Sequence, residues 1–97
     1  MFFTKIKSVT TDELQSVLKE KPVILDVREP HEFKNGHIPG AKNVPLGTIG
    51  TYTGKGPVYV ICASGGRSTQ ATKKLTKMGV DATNVKGGMM MWKGARK

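Results

Sequence analysis

Two short, nearly uninterrupted apolar runs constrain this chain more than any other feature. Val23-Ile24-Leu25-Asp26-Val27 and Pro57-Val58-Tyr59-Val60-Ile61-Cys62 lack the alternation of a strand with one wet face, and they are too short for amphipathic helices. Such runs, rich in β-branched residues, read as strands buried on both faces. That burial is typical of parallel sheets, where crossover helices cover each side. The intervening segments supply those helices. Thr10-Thr11-Asp12-Glu13 opens one, with a hydroxyl cap and acids in the first turn, and Leu14, Val17 and Leu18 share a face until Lys21-Pro22 stops it. Pro30 to Lys34 reads as a single helical turn, and Arg67 to Met78 as a longer helix with Ala71, Leu75 and Met78 on one face and Gly79 as its stop. Further short strands are expected at Phe2–Ile6, Ala41–Val44 and Thr83–Val85, and a last short helix at Met89–Lys93. Gly47 to Gly56 reads as a loop. Strands alternating with helices give a three-layer α/β architecture around a mostly parallel sheet of about five strands, and 97 residues suffice for one domain.

Composition narrows the function classes. No apolar stretch approaches the roughly 20 residues of a membrane span, and Met1-Phe2-Phe3 runs straight into Thr4-Lys5-Ile6-Lys7 without the apolar core of a signal peptide. The net charge of +9 favours small anions in general. The lysines are scattered and not interleaved with aromatic residues, however, so neither a nucleic-acid nor a membrane partner is expected. A single Cys excludes an internal disulfide, a redox pair and a Cys-rich zinc site, and it points to a reducing cytoplasm. With two His out of register for a ligand set, no metal or other cofactor is expected. Gly50-x-x-x-Gly54-Lys55 fails as a phosphate loop on spacing and on Gly56, where Ser or Thr would stand.

That single Cys sits where the chemistry belongs. Cys62 ends an apolar strand, Gly65-Gly66 allow a curled backbone at positive φ, and a helix follows. A curled loop at a helix start turns several N–H groups inward as an anion nest. Cys62 is therefore the candidate nucleophile, with the N–H groups of Ala63, Ser64, Gly65, Gly66, Arg67 and Ser68 as its candidate cradle. Such surroundings lower a thiol's pKa below its usual ~8.5. Arg67 at the helix start adds charge or faces an incoming anion.

Beyond this loop, Leu25-Asp26-Val27-Arg28-Glu29, His31-Glu32-Phe33, Gly36 to Pro45, Cys62-Ala63-Ser64-Gly65-Gly66-Arg67-Ser68 and Gly87-Gly88 followed by Trp92 together resemble the single-domain rhodanese-like (thiosulfate sulfurtransferase) family over nearly the whole chain. The resemblance implies that Cys62 takes a sulfane sulfur from thiosulfate or a similar anion, holds it as a persulfide, and yields it to cyanide or a thiol. A sulfur relay or regulatory module working with a protein that donates or accepts sulfur is the second reading. Phosphatase-like members resemble Cys-x5-Arg, whereas this chain has the shorter Cys-x4-Arg, a ring better suited to one sulfur than to a tetrahedral oxyanion.

Asp26 and Arg28 offer two readings: an anion-positioning pair, or a hydrogen-bonded network with Glu32 that fixes loops. The second is favoured. His37 is expected to be a structural turn residue and His31 to be exposed. Met89-Met90-Met91-Trp92 is expected to pack the last helix onto the sheet, any exposed remainder favouring protein contacts. The oligomeric state stays open between monomer and dimer.

Overall fold

The structure, a computed structural model, describes residues 5–97. Five strands, β1 (Lys7–Thr10), β2 (Val23–Asp26), β3 (Lys42–Asn43), β4 (Val58–Ile61) and β5 (Ala82–Lys86), form one sheet in the order β1-β5-β4-β2-β3. Every pairing is parallel, so the sheet is wholly rather than mostly parallel. The helices are α1 (Thr11–Val17), α2 (Pro30–Lys34), α3 (Gly66–Lys77) and α4 (Gly88–Met91). A single 3₁₀ turn covers Leu18–Glu20, and a longer 3₁₀ segment, Leu46–Thr51, overlaps the first half of the expected glycine-rich loop.

The apolar runs behave as two-faced burial requires. Leu25, Val27, Val58, Val60 and Cys62 enter one core cluster, with Ala71 and Leu75 of α3. Ile24 and Ile61 enter the opposite cluster, with Leu14 of α1 and with Met89 and Trp92 around α4. Successive residues of a strand point to opposite faces, so one continuous run feeds both cores.

Local chemistry sets the helix ends. Thr10 Oγ1 accepts the Glu13 N–H at 3.1 Å and Glu13 Oε1 accepts the Thr10 N–H at 2.8 Å, a capping box for α1. Lys21 then takes the left-handed conformation (φ 53°) just before Pro22.

One strand lies elsewhere than expected. β1 runs over Lys7–Thr10, not Phe2–Ile6; Lys5 and Ile6 precede it, and Phe2–Thr4 lie outside the described residues. It is an edge strand paired only with β5, through Lys7↔Thr83 to Thr10↔Lys86, and this register admits polar, exposed Lys7 and Ser8. Among the described residues no helix is long and apolar enough to cross a membrane.

Candidate active site

The strand order places a topological switch beside β4. From β2 the chain continues to β3 on one side, and from β4 it continues to β5 on the other. A crevice opens at the carboxyl ends of such a pair. Cys62 follows β4 there, facing Asp26, Val27 and Arg28 at the end of β2, and Val27 N–H donates to Ile61 O at 2.9 Å across the base. The next element after β2 is α2, which carries Glu32; the next after β4 is α3, which carries Arg67.

The loop is aimed from behind. Met89 N–H donates to Cys62 O at 2.8 Å and Met90 N–H to Ala63 O at 3.0 Å. All peptide bonds here are trans. A planar trans peptide sets its N–H opposite its C=O, so the Ala63 and Ser64 N–H groups point away from α4. They face the side of the sheet on which the Cys62 side chain packs with Ala71 and Leu75.

Gly65 (φ 119°) curls the chain back, and its N–H reaches Cys62 Sγ at 3.0 Å. Gly66 keeps an ordinary φ and is the first residue of α3, so one glycine rather than two makes the turn. The first intrahelical bond of α3 is Thr69 N–H to Gly65 O at 3.0 Å, which leaves the preceding N–H groups of Gly66, Arg67 and Ser68 without helical acceptors. Ser68, itself buried, sets its Oγ 3.3 Å from Sγ and donates to Gly65 O at 3.2 Å.

These contacts decide the ionisation of the thiol. Burial alone pushes the Cys62 pKa up. The Ser68 hydroxyl and the N–H groups of Ser68, Gly65 and Ser64 outweigh it, and the pKa ends below the ordinary thiol value. The sulfur does not stand open at a mouth: Cys62 is 1% exposed. Ser64 and Gly66 of the same loop are exposed.

The remaining expected site residues pair with one another. Asp26 accepts from Arg28 Nε at 3.0 and 3.1 Å, from Nη2 at 2.8 Å and from the Arg28 backbone N–H at 3.1 Å, while Arg28 Nη2 also donates to Gly36 O at 2.8 Å. Both are buried, Asp26 completely, so the pair is a brace tying the end of β2 to the turn after α2.

Glu32 is not in that brace. It binds Arg67 through two parallel hydrogen bonds, Nη1–Oε1 at 2.7 Å and Nη2–Oε2 at 2.9 Å. Arg67 and the Glu29 N–H together hold the Glu32 carboxyl at a pKa of about 2. This link across the crevice joins residues 35 apart, and sequence spacing offered no signal for it. Of the roles expected for Arg67, its guanidinium is engaged by Glu32 yet still adds positive charge near Cys62, and its N–H stands at the start of α3.

His37 is a turn residue, its Nδ1 2.7 Å from Phe33 O and its ring stacked on Phe33, and His31 is exposed. In the Met cluster Met89 and Trp92 are buried, but Met90 and Met91 are exposed.

Gly88 packs directly on the backbone of the Cys62 loop, a role that its sequence position only hinted at. Its φ is 58°, and a Cβ there would lie 2.4 Å from Cys62 O and 2.6 Å from Ala63 C. Gly88→Ala is therefore expected to lose about 3 kcal/mol, combining left-handed strain with overpacking, and to slow any reaction at Cys62. Urea unfolding checks the first effect; a midpoint equal to wild type would show that α4 does not clamp the loop.

Comparison with known proteins agrees with this geometry. A profile of the rhodanese-like domain matches residues 10–95. YtwF of Bacillus subtilis (strain 168), which carries a sulfurtransferase's name, is 37% identical over 96% of both chains. YrkF of the same organism, which carries a sulfur carrier's name, is 40% identical over 73% of this chain and 41% of its own. Two fungal relatives are longer still, and the chain spans 24% and 23% of them. The crystal structure of a rhodanese-like domain protein from Staphylococcus aureus superposes with a TM-score of 0.82 at 44% identity, covering 93% of each chain. With the family profile matching most of the chain and a relative 37% identical over 96% of both chains, the chain belongs to the rhodanese-like domain family.

Proposed function

We propose that this chain is a sulfurtransferase in which Cys62 carries the transferred sulfur. The observation that carries the reading is the Gly65 N–H 3.0 Å from Sγ, in a loop whose Ser64 and Ser68 N–H groups also favour the thiolate. Cys62 thiolate attacks the outer sulfur of a donor such as thiosulfate. A new S–S bond forms, the donor's S–S bond breaks, and its electron pair leaves with sulfite. The terminal sulfur of the resulting persulfide is an anion, and an anion without protons gains most from inward N–H donors. Cyanide or a thiolate then takes that sulfur and returns Cys62 to the thiolate. No cofactor enters either half.

A two-stage experiment tests this. Protein loaded with thiosulfate and freed of it by gel filtration should convert about one equivalent of cyanide to thiocyanate. Failure to form thiocyanate would contradict turnover with small acceptors. The second reading, a relay to a partner protein, draws support from the name of YrkF and from the exposed Met90 and Met91 beside the loop. It predicts loading without release to cyanide.

The pH dependence follows from the thiol. The thiolate is the nucleophile, so the rate falls as pH drops through the Cys62 pKa, which lies below the ordinary thiol value. Glu32 stays ionised down to about pH 2 and adds no second limb in the neutral range. Alkylation by iodoacetamide should therefore show a midpoint below the ~8.5 of a free thiol. A midpoint above it would mean that burial defeats the amides.

A further inference from the structure

We infer that Lys86 receives the anionic end of the sulfur donor at the rim of the Cys62 loop, and so sets how strongly the site favours negatively charged reagents. This rests on the sulfur-transfer reading above and adds to it a positioning residue from outside the loop.

The sheet register places this lysine. β4 and β5 pair through Val58↔Ala82, Tyr59↔Thr83 and Val60↔Asn84. Continued two residues along each strand, the same parallel ladder sets Lys86 opposite Cys62. The two segments stay together there: Met89 N–H donates to Cys62 O at 2.8 Å, and a Cβ on Gly65 would lie 3.7 Å from Gly87 N. Side chains two apart on a strand share a face. Ala82 packs in the same core cluster as Cys62, and Asn84 Nδ2 lies 3.4 Å from Thr69 Oγ1 of α3. Lys86 is the next residue on that face, the side of the sheet on which the sulfur lies, but it stands past the end of the core and is exposed.

Its charge is available. Among the described residues the ion pairs are Lys7 with Asp81, Arg28 with Asp26 and Arg67 with Glu32, and Lys86 is in none of them. Glu13 at the start of α1 lies within its field, but the Glu13 carboxylate is itself held by the Thr10 N–H in the capping box. The two flanks of the crevice therefore differ. On the β2 side Arg28 and Arg67 each face a carboxylate; on the β5 side Lys86 faces solvent at the rim. Neighbouring strands run about 4.8 Å apart, and a flexible four-carbon stem carries an ammonium across that gap.

The step at Cys62 has a use for such a charge. A thiolate attacking a dianion brings like charges together, and a cation beside the path lowers that cost. The outer sulfur of thiosulfate enters the ring of amides while its sulfonate stays outside. The Cys62 S–S bond forms, the donor's S–S bond breaks, and the electron pair leaves with sulfite. Lys86 makes and breaks no bond; it faces the sulfonate before the step and the sulfite after it.

The test uses two alkylating reagents that share a leaving group and differ in charge, iodoacetate and iodoacetamide, alongside thiosulfate turnover. Cys62 is the single cysteine, so alkylation reports on it alone. Lys86→Met keeps the stem and removes the charge; Lys77→Met, at the far end of α3, makes the same change in net charge away from the loop. In Lys86→Met at low salt, iodoacetate should react about fivefold more slowly and iodoacetamide within twofold of wild type. The KM for thiosulfate should rise about fivefold, with kcat changing less. Lys77→Met should leave the reagent ratio unmoved, and the effect of Lys86→Met should shrink in high salt. A reagent ratio equal in wild type and Lys86→Met, an equal loss with both reagents, or a Lys77→Met shift as large would overturn this inference while leaving Cys62 as the sulfur carrier. A ratio that moves as expected in a protein that thiosulfate never loads would instead overturn the sulfur-transfer reading and keep Lys86 as the group that receives anions.

Discussion

Cys62→Ser is expected to abolish sulfur transfer, lowering the rate by about 10³-fold or more, while the protein stays folded. A serine hydroxyl fills nearly the same volume, and the contacts to Gly65 N–H and Ser68 Oγ have an oxygen to use in place of sulfur. The fold therefore has little reason to change. The chemistry has every reason to: a hydroxyl is scarcely ionised at neutral pH, and these surroundings ionise a thiol by offering donors to a large, soft anion. The pair of measurements is steady-state transfer from a donor to cyanide and the urea midpoint. Full activity in a folded Cys62→Ser protein would remove Cys62 from the mechanism, whatever the loop looks like.

The second large effect concerns the brace beneath the crevice. Asp26→Ala is expected to destabilise the fold by about 3–5 kcal/mol. Asp26 is completely buried, and its carboxylate takes the Arg28 guanidinium on two nitrogens and the Arg28 backbone N–H as well. Removing it strands a guanidinium that is 7% exposed, with Gly36 O as its remaining partner. The cost is that of an uncompensated buried charge, not of one lost contact. Asp26→Leu/Arg28→Met should then recover much of the loss, since neither charge is left behind. Denaturant unfolding of both variants decides the matter. If the double variant were as unstable as Asp26→Ala, the pair's hydrogen bonds rather than the stranded charge would account for the loss.

The parts legible from sequence were those carried by contiguous residues. Val23–Val27 and Val58–Cys62 announced buried strands because both faces are covered by core. Pro30 to Lys34 is the helix expected there, with proline at its start. Cys62, Gly65 and the start of α3 were readable as strand, turn and helix because those conformations are set by near neighbours. Local pattern failed where distant residues decide. β1 lies at Lys7–Thr10 because β5 provides a register there, and its own polarity gives no strand signal. Arg67 turns to Glu32 because the switch in strand order brings α2 beside the start of α3. The clamp at Gly88 is invisible without the Cys62 and Ala63 carbonyls it approaches. The burial of the sulfur was equally illegible, because β4, α3 and the loop close around it together.

The measurement that reaches the central claim most directly is the mass of the peptide bearing Cys62 after the intact protein has met a sulfane donor. One added sulfur, about 32 Da, should appear on that peptide, disappear on treatment with cyanide or a reducing thiol, and be absent from Cys62→Ser. A Cys62 peptide of unchanged mass, with thiosulfate and with an organic persulfide alike, would contradict the claim that this cysteine carries sulfur.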